Sequence, residues 1–305
     1  MKLLVILTKA HKNPLRPLVE MWKAKGHLVR FSYYEGRDVP GKEAIIHIAQ
    51  NADAVMILAP ANRAASTLID APVLHVGERI VPVSLVPVPD EATLLSFVAT
   101  TLEVHRRTGV NQAIALLAQR FPRYLKVTDK IYQELHKEGS VKAYKWTSDV
   151  IHPGDMLYGI NQGAGICLYM GHGRPSGWVG YYGIRAHHMV TLRHKPAAAI
   201  LSLCCWTAGR KNVKYSFCES LMLQGITSTV FGAVKPTLFT DNTRWAVNLS
   251  QAVQKGAATI GELIVNAYPA NEKAGANYRL FGDPTTPLLA DEKFIETSDK
   301  IKTYE

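Results

Sequence analysis

GICLYMGHGRPSGW, residues 165–178, opens on a short apolar run and stops abruptly in Gly171-His172-Gly173. An unbroken apolar run of this length predicts a strand buried on both faces, as in a parallel sheet covered by helices. The histidine at its end is unusual. A structural histidine is normally held by bulky neighbours, whereas the two glycines here restrict the backbone least. Something therefore comes close to His172: a substrate, a phosphate or the chain itself in a tight turn.

A second run of the same kind, AAAILSLCC (197–205), follows after one helical stretch, IRAHHMVTL, and ends in Cys204-Cys205. Two such strands joined by one crossover are expected to be parallel neighbours, with ligands bound beyond their carboxyl ends. An imidazole and a thiol would then share one sheet edge, the pairing that a nucleophilic cysteine needs. Taken alone, each feature has a plainer reading. A Cys-Cys pair can be small core filler, and a His-Gly turn can be structural. Their occurrence at consecutive strand ends favours chemistry. Attack by a thiolate on a carbonyl creates an oxyanion, for which Gly173 and Cys205 could offer backbone N–H groups.

The rest of the chain fits this frame. KLLVILT (2–8), a helical PLRPLVEMWKAKG, HLVRFSYY, a helical GKEAIIHIAQN and DAVMILAP (53–60) alternate strand and helix, implying a parallel sheet. A proline-punctuated strand-like region from Ala71 to Asp90 closes this unit, and the long segment DEATLLSFVATTLEVHRRTGVNQAIALLAQRF reads as helical. DKIYQELHKEG and HPGDMLYGINQG are expected helices, as is VKYSFCESLMLQG, which precedes a strand at TSTVFGAV. The closing EKFIETSDKIKTYE is polar and reads as a loosely held tail.

Together these blocks resemble the gingipain-type cysteine peptidases, of the caspase-fold group that includes caspases, legumain, clostripain and separase. ICLYMGHGRPSGW is similar to their strand ending in Gly-His-Gly with a tryptophan soon after. AAILSLCCWTAG is similar to their second strand, where a small residue (here Cys204) precedes the nucleophile (here Cys205) and a glycine (Gly209) follows. NYRLFGDPTTPL (277–288) matches their Gly-Asp-Pro ending, and the similarity spans roughly residues 120–290. The resemblance implies an α/β caspase-like fold with a mostly parallel central sheet and helices on both faces. It divides the chain into a non-catalytic α/β subdomain (1–118), a catalytic domain (119–290) and a C-terminal tail (291–305). It implies a cysteine endopeptidase with catalytic His172, Cys205 and Gly173, acting through a thioester on a protein or peptide substrate, with no cofactor. Phe239 would be an aromatic pocket wall, with Asp155 and Trp178 further substrate-binding candidates. Arginine-specific relatives carry an acid in the pocket, which suggests cleavage after a basic residue. Some relatives carry an Asp shortly before the nucleophile, where this chain has Ser202 and Leu203, and Asp155 and Asp129 are possible substitutes from upstream. Two rival readings are a catalytically silent scaffold of the same fold and a small-molecule-binding α/β protein.

Bulk properties exclude other classes. No segment reaches the roughly 18 apolar residues that span a bilayer, and no membrane role is expected. The opening MKLLVILTKAHKNP has too short an apolar run for a signal peptide and reads as a first strand, so a cytoplasmic location is expected. The net charge of +10 is spread along the chain without a nucleic-acid-binding motif, so nucleic acid is not an expected partner. Four cysteines without a CxxC pair suit reduced thiols rather than a disulfide framework or zinc. His187, His188 and His194 lack an acidic partner at ligand spacing, so no metal site is expected there. The oligomeric state is not legible from the sequence.

Overall fold

The computed structural model describes residues 1–107, 112–139, 141–190, 195–270 and 272–301. The first strand, β1 (Lys2–Leu7), is apolar and almost wholly buried. It leads into α1 (Lys12–Ala24), whose Leu15, Leu18, Val19 and Trp22 recur at helical spacing and form the buried face. Next come β2 (Leu28–Tyr33), α2 (Lys42–Ile48), β3 (Ala54–Pro60) and the short α3 (Ala65–Leu68). The proline-punctuated region forms an antiparallel hairpin of β4 (Val73–Val76) and β5 (Arg79–Val88). Asp90 then caps α4 (Glu91–His105) by accepting the Thr93 N–H at 2.8 Å.

The second half begins with a correction. AIALLA, expected as the end of the long helical segment, is strand β6 (Ala113–Ala118), buried at every position. A run that is apolar throughout has no periodicity to separate a buried strand from a buried helix. Then follow α5 (Pro122–Glu138), β7 (Lys142–Thr147), α6 (Pro153–Ile160) and β8 (Ile166–Met170). Two-residue strands β9 (Gly173–Arg174) and β10 (Gly177–Trp178) form a tight hairpin before α7 (Ala186–Val190) and β11 (Ala197–Leu203). The remainder is α8 (Phe217–Leu223), β12 (Thr227–Ala233), α9 (Phe239–Gln254), α10 (Ile260–Ala267), α11 (Glu272–Gly275), β13 (Tyr278–Gly282) and α12 (Glu292–Ser298). Capping boxes start α8 (Ser216 with Glu219) and α10 (Thr259 with Glu262).

Among the described residues eleven strands form one sheet in the order β2-β1-β3-β5-β13-β12-β11-β8-β6-β7, with β4 paired on β5. Neighbours are parallel within β2-β1-β3-β5 and within β12-β11-β8-β6-β7, and β13, between the two runs, is antiparallel to β12. The carboxyl ends of β3, β5 and β11 face the same edge: Arg210, past β11, donates to the Ala61 carbonyl, past β3, and the segments after β1, β3, β5 and β11 line one cavity. Strand alternation divides the core into two layers, with Cys167 and Tyr169 in one and Ile166, Leu168 and Met170 in the other.

Asp283, in the Gly-Asp-Pro segment, ties the halves together. Its buried carboxylate accepts from Trp22 Nε1 of α1 at 3.1 Å, meets His105 Nε2 of α4 at 2.8 Å, and accepts the Thr285 N–H and hydroxyl, each at 2.8 Å. Burial pushes the carboxyl up, but the His105 hydrogen bond and charge and the Thr285 donors outweigh it and leave it below the usual range. The expected tail also differs. Phe294 of α12 is buried between Tyr144 and Trp146, and Asp291 pairs with Lys195 at 2.7 Å, so residues 291–298 are docked on the body. The amphipathic spacing of a single turn was too short to stand out from the polar residues around it.

Candidate active site

The Gly-His-Gly turn and the Cys-Cys turn do meet. Strands β8 and β11 are parallel neighbours with Met170 opposite Leu203, so His172 and Cys205 each lie two residues past the same paired level. Adjacent strands run roughly 4.8 Å apart. Beyond them the backbones close in: a Cβ on Gly173 would lie 2.5 Å from the Cys205 carbonyl oxygen and 2.6 Å from Cys204 Sγ. A Cβ on Gly171 would overlap the Tyr169 hydroxyl. The two glycines are bare because neighbouring atoms already occupy the space a side chain would need. The turn is fixed from three sides. His172 donates its N–H to Gln119 Oε1 at 2.9 Å, its carbonyl accepts from Tyr169 Oη at 3.1 Å, and Tyr169 Oη accepts the Gly180 N–H at 3.0 Å.

The two cysteines face different surroundings. Cys204 is fully buried and points into the core, where burial pushes its thiol well up, so it stays protonated. Cys205 is half-buried, and its sulfur accepts the Thr237 N–H at 3.3 Å, with the Thr237 hydroxyl at 3.6 Å. A backbone N–H aimed at sulfur is a donor that a thiolate can use. After Cys205 the chain turns sharply through Trp206, a bulky residue in the left-handed region at φ 66° whose N–H donates to the Lys235 carbonyl. Such a conformation carries strain and recurs where a side chain is presented at a strand end.

Around His172 the structure supplies residues that the sequence had not suggested. Its exposed imidazole stands edge-on to Phe121 at 5.8 Å and to Tyr124 at 5.7 Å between centroids. Nη2 of Arg123, at the start of α5, lies 3.0 Å from His172 Nε2 and donates to the Tyr124 hydroxyl at 3.0 Å. Its guanidinium also lies over the rings of Tyr124 (4.7 Å) and Phe239 (5.5 Å). No carboxylate orients the imidazole among the described residues. Its immediate charged partner is a cation. Partial burial and the Arg123 charge together hold His172 below the ordinary histidine pKa, which favours neutral imidazole with Nε2 as acceptor.

Of the expected substrate-binding residues, Phe239 is brought to the site: its ring lies 5.6 Å from that of Tyr124 and under Arg123. Trp178 is not. It is 1% exposed, stacks on Tyr169 at 4.5 Å, and donates from Nε1 to Ser202 Oγ at 2.9 Å. The β9–β10 hairpin turns this indole inward, so Trp178 supports the site from beneath instead of touching substrate. Asp155 is exposed in the first turn of α6 and forms no hydrogen bond or ion pair with His172 or Cys205 among the described residues. Asp129 is held by Lys145 at 2.9 Å. The rings of His187 and His188 are 4.1 Å apart. His194 lies outside the described residues.

An eleven-stranded α/β sheet that places a thiol and an imidazole on adjacent strand ends defines a cysteine-peptidase architecture of the caspase-like type. The fold agrees with solved structures. The Arg-specific cysteine proteinase gingipain R superposes with a TM-score of 0.74 at 14% identity, over 94% of this chain and 78% of that one. The complex of Porphyromonas gingivalis RgpB pro- and mature domains gives 0.72 at 14% identity, over 94% of this chain and 81% of that one. The Saccharomyces cerevisiae separase–securin complex gives 0.51 at 12% identity, over 75% of this chain and 15% of that one. No curated protein matches the sequence. The model of Peptidase family C25 matches residues 42–289, and the chain belongs to that family of cysteine peptidases.

Proposed function

We propose that this peptidase cuts peptide bonds with Cys205 as nucleophile and His172 as its acid–base partner. The observation that carries the proposal is the contact of Gly173 with Cys204-Cys205, which sets the histidine turn directly against the thiol turn. Neutral His172 takes the Cys205 proton. The thiolate then attacks the carbonyl carbon, whose π pair moves to oxygen. The Gly173 and Cys205 N–H groups are the donors assigned to that oxyanion. When it collapses the C–N bond breaks, His172 returns its proton to the leaving amine, and the acyl group remains on sulfur as a thioester. Water, deprotonated by His172, adds to the thioester carbon, and collapse expels the sulfur, which regains the proton.

A preference for a basic residue before the cut would need an acid in the pocket. Asp129 is already paired, Asp155 lies apart, and the charge beside His172 is Arg123. Among the described residues no carboxylate bonds to His172 or Cys205 in support of that preference. The experiment for the catalytic assignment is hydrolysis of a peptide library by the wild type and by Cys205→Ala, His172→Ala and Cys204→Ala. The expected result is loss of cleavage in the first two and its retention in the third. Loss in Cys204→Ala with retention in Cys205→Ala would overturn it.

A further inference from the structure

The group nearest the candidate catalytic imidazole is a cation with no counter-ion. Arg123 is exposed and pairs with no carboxylate among the described residues. Asp129, on the same helix, is committed to Lys145 at 2.9 Å, and Asp241, in the same helical turn as Phe239, to Arg244 at 3.6 Å. Its guanidinium plane is held by the Tyr124 and Phe239 rings, with only Nη2 engaged, on a hydroxyl and on His172. A guanidinium flattened against aromatic walls with free N–H groups is a fork for a carboxylate. Arg123 also sits in the first turn of the 17-residue α5, where the helix dipole favours negative charge.

The position of this fork relative to the thiol says which side of the cut it serves. Thr237, whose backbone touches Cys205 Sγ, lies two residues before Phe239, the ring beneath Arg123. The acyl half of a substrate stays on that sulfur, so its side chain is the one beside this segment. We propose that Arg123 is a specificity-determining residue and that the site takes a carboxylate side chain, aspartate or glutamate, at the residue immediately before the cut. The inference rests on the peptidase reading above. It also gives the contact with His172 a purpose: a substrate carboxylate draws the guanidinium away and frees Nε2 when the correct side chain arrives. The net charge of +10 steers acidic chains toward the protein without choosing a site.

The test is a set of peptides identical except for Asp, Glu, Asn, Gln, Ala, Lys or Arg before the cut. It is read as kcat/KM for the wild type, Arg123→Ala, Arg123→Lys and Arg123→Glu, with folding checked by circular dichroism. Charge-assisted hydrogen bonds predict that the wild type prefers Asp or Glu over Asn or Gln by about 10- to 100-fold. Arg123→Ala should abolish that preference, chiefly through KM; Arg123→Lys should restore part of it, and Arg123→Glu should shift it toward Lys and Arg. Parallel labelling of Cys205 by peptidyl acyloxymethyl ketones ending in Asp, Ala or Arg separates the two failures. Turnover or labelling that favours Arg or Ala, or an acid preference that survives in Arg123→Ala, overturns the role of Arg123 and leaves the peptidase intact. Neither turnover nor labelling with any member of either set overturns both.

Discussion

The carboxyl edge of the sheet has two regions, and they differ in what they offer. Beyond β1, β3 and β5 opens a cavity of about 950 Å³ lined by Thr8, His11, Asn62, Pro89 and, from the chain past β11, Arg210. Beyond β8 and β11 the space is crowded, with backbone against backbone at Gly173 and rings packed on His172. No cysteine lines the roomy region. Cavity volume here follows from how parallel strands end, whereas reactivity follows from which side chains stand at those ends. This hollow does not hold the candidate dyad.

The sharpest way to break that contrast is to remove one group from each region. Cys205→Ala should lower kcat/KM on a cleavable peptide by at least about 10³-fold, as loss of a nucleophile does. His11→Ala in the large cavity should change it by less than about threefold, in line with a surface substitution away from the chemistry. Comparable losses in both variants would mean that the two regions act as one site.

The two halves of the sheet are held in one body through Asp283, and here the effect is on stability. Asp283→Ala leaves Trp22 Nε1, His105 and Thr285 without their shared acceptor in a buried setting. Breaking a buried pair of this kind costs about 3–5 kcal/mol, measurable by denaturant unfolding. Because folding lowers the Asp283 pKa, its contribution is complete above the ordinary carboxylate value and disappears as pH falls through the lowered one. Wild-type stability should therefore fall in the acid range below about pH 4 with a slope that the Asp283→Ala variant lacks. Equal slopes would remove Asp283 from the account of acid unfolding.

Gly173→Ala tests the crowded region itself. Its new methyl would be placed within 2.5 Å of the Cys205 carbonyl, so the turns must separate. A displacement near 1 Å in a reacting group costs on the order of 10²-fold in rate, and that loss is expected in kcat while the fold persists. Cys204→Ala should do the reverse, costing about 1 kcal/mol of stability, a typical core truncation, and leaving the rate within about threefold. A Cys204→Ala enzyme as inactive as Cys205→Ala would reassign the nucleophile.

Much of this arrangement was legible in the sequence, and what was not has identifiable causes. The strand-helix alternation of residues 2–60 and the paired ends at His172 and Cys205 could be read because each rests on local pattern plus one crossover rule. AIALLA could not, because an apolar run buried on both faces has no period. Trp178 reads as a pocket residue from its nearness to His172 in the chain, yet the hairpin at Gly177 turns it under the sheet. Arg123 was missed for the opposite reason. It lies 49 residues before His172, between the long helical segment ending in AQRF and the helix expected at DKIYQELHKEG, where no motif marks it. Only the adjacency of β6 and β8 brings the start of α5 over the histidine turn. The signal that could have found it is a basic residue beginning the helix that follows a strand next to the site.

That charge leaves one mark on the free enzyme that is independent of substrate, and it is the smallest effect expected. If neutral His172 must accept the Cys205 proton, kcat/KM rises with pH through the His172 pKa and reports the unliganded protein. Partial burial and the Arg123 guanidinium both lower that pKa, so the acid limb should lie below the ordinary histidine value of about 6.5. Arg123→Gln removes the charge and leaves the burial, which moves the limb upward but not past the ordinary value. Near pH 6 the variant should therefore lose a further few-fold of activity that it regains by pH 8, on a neutral peptide where side-chain recognition plays no part. A limb that stays in place would mean that the contact between Arg123 and Nε2 is not kept in solution.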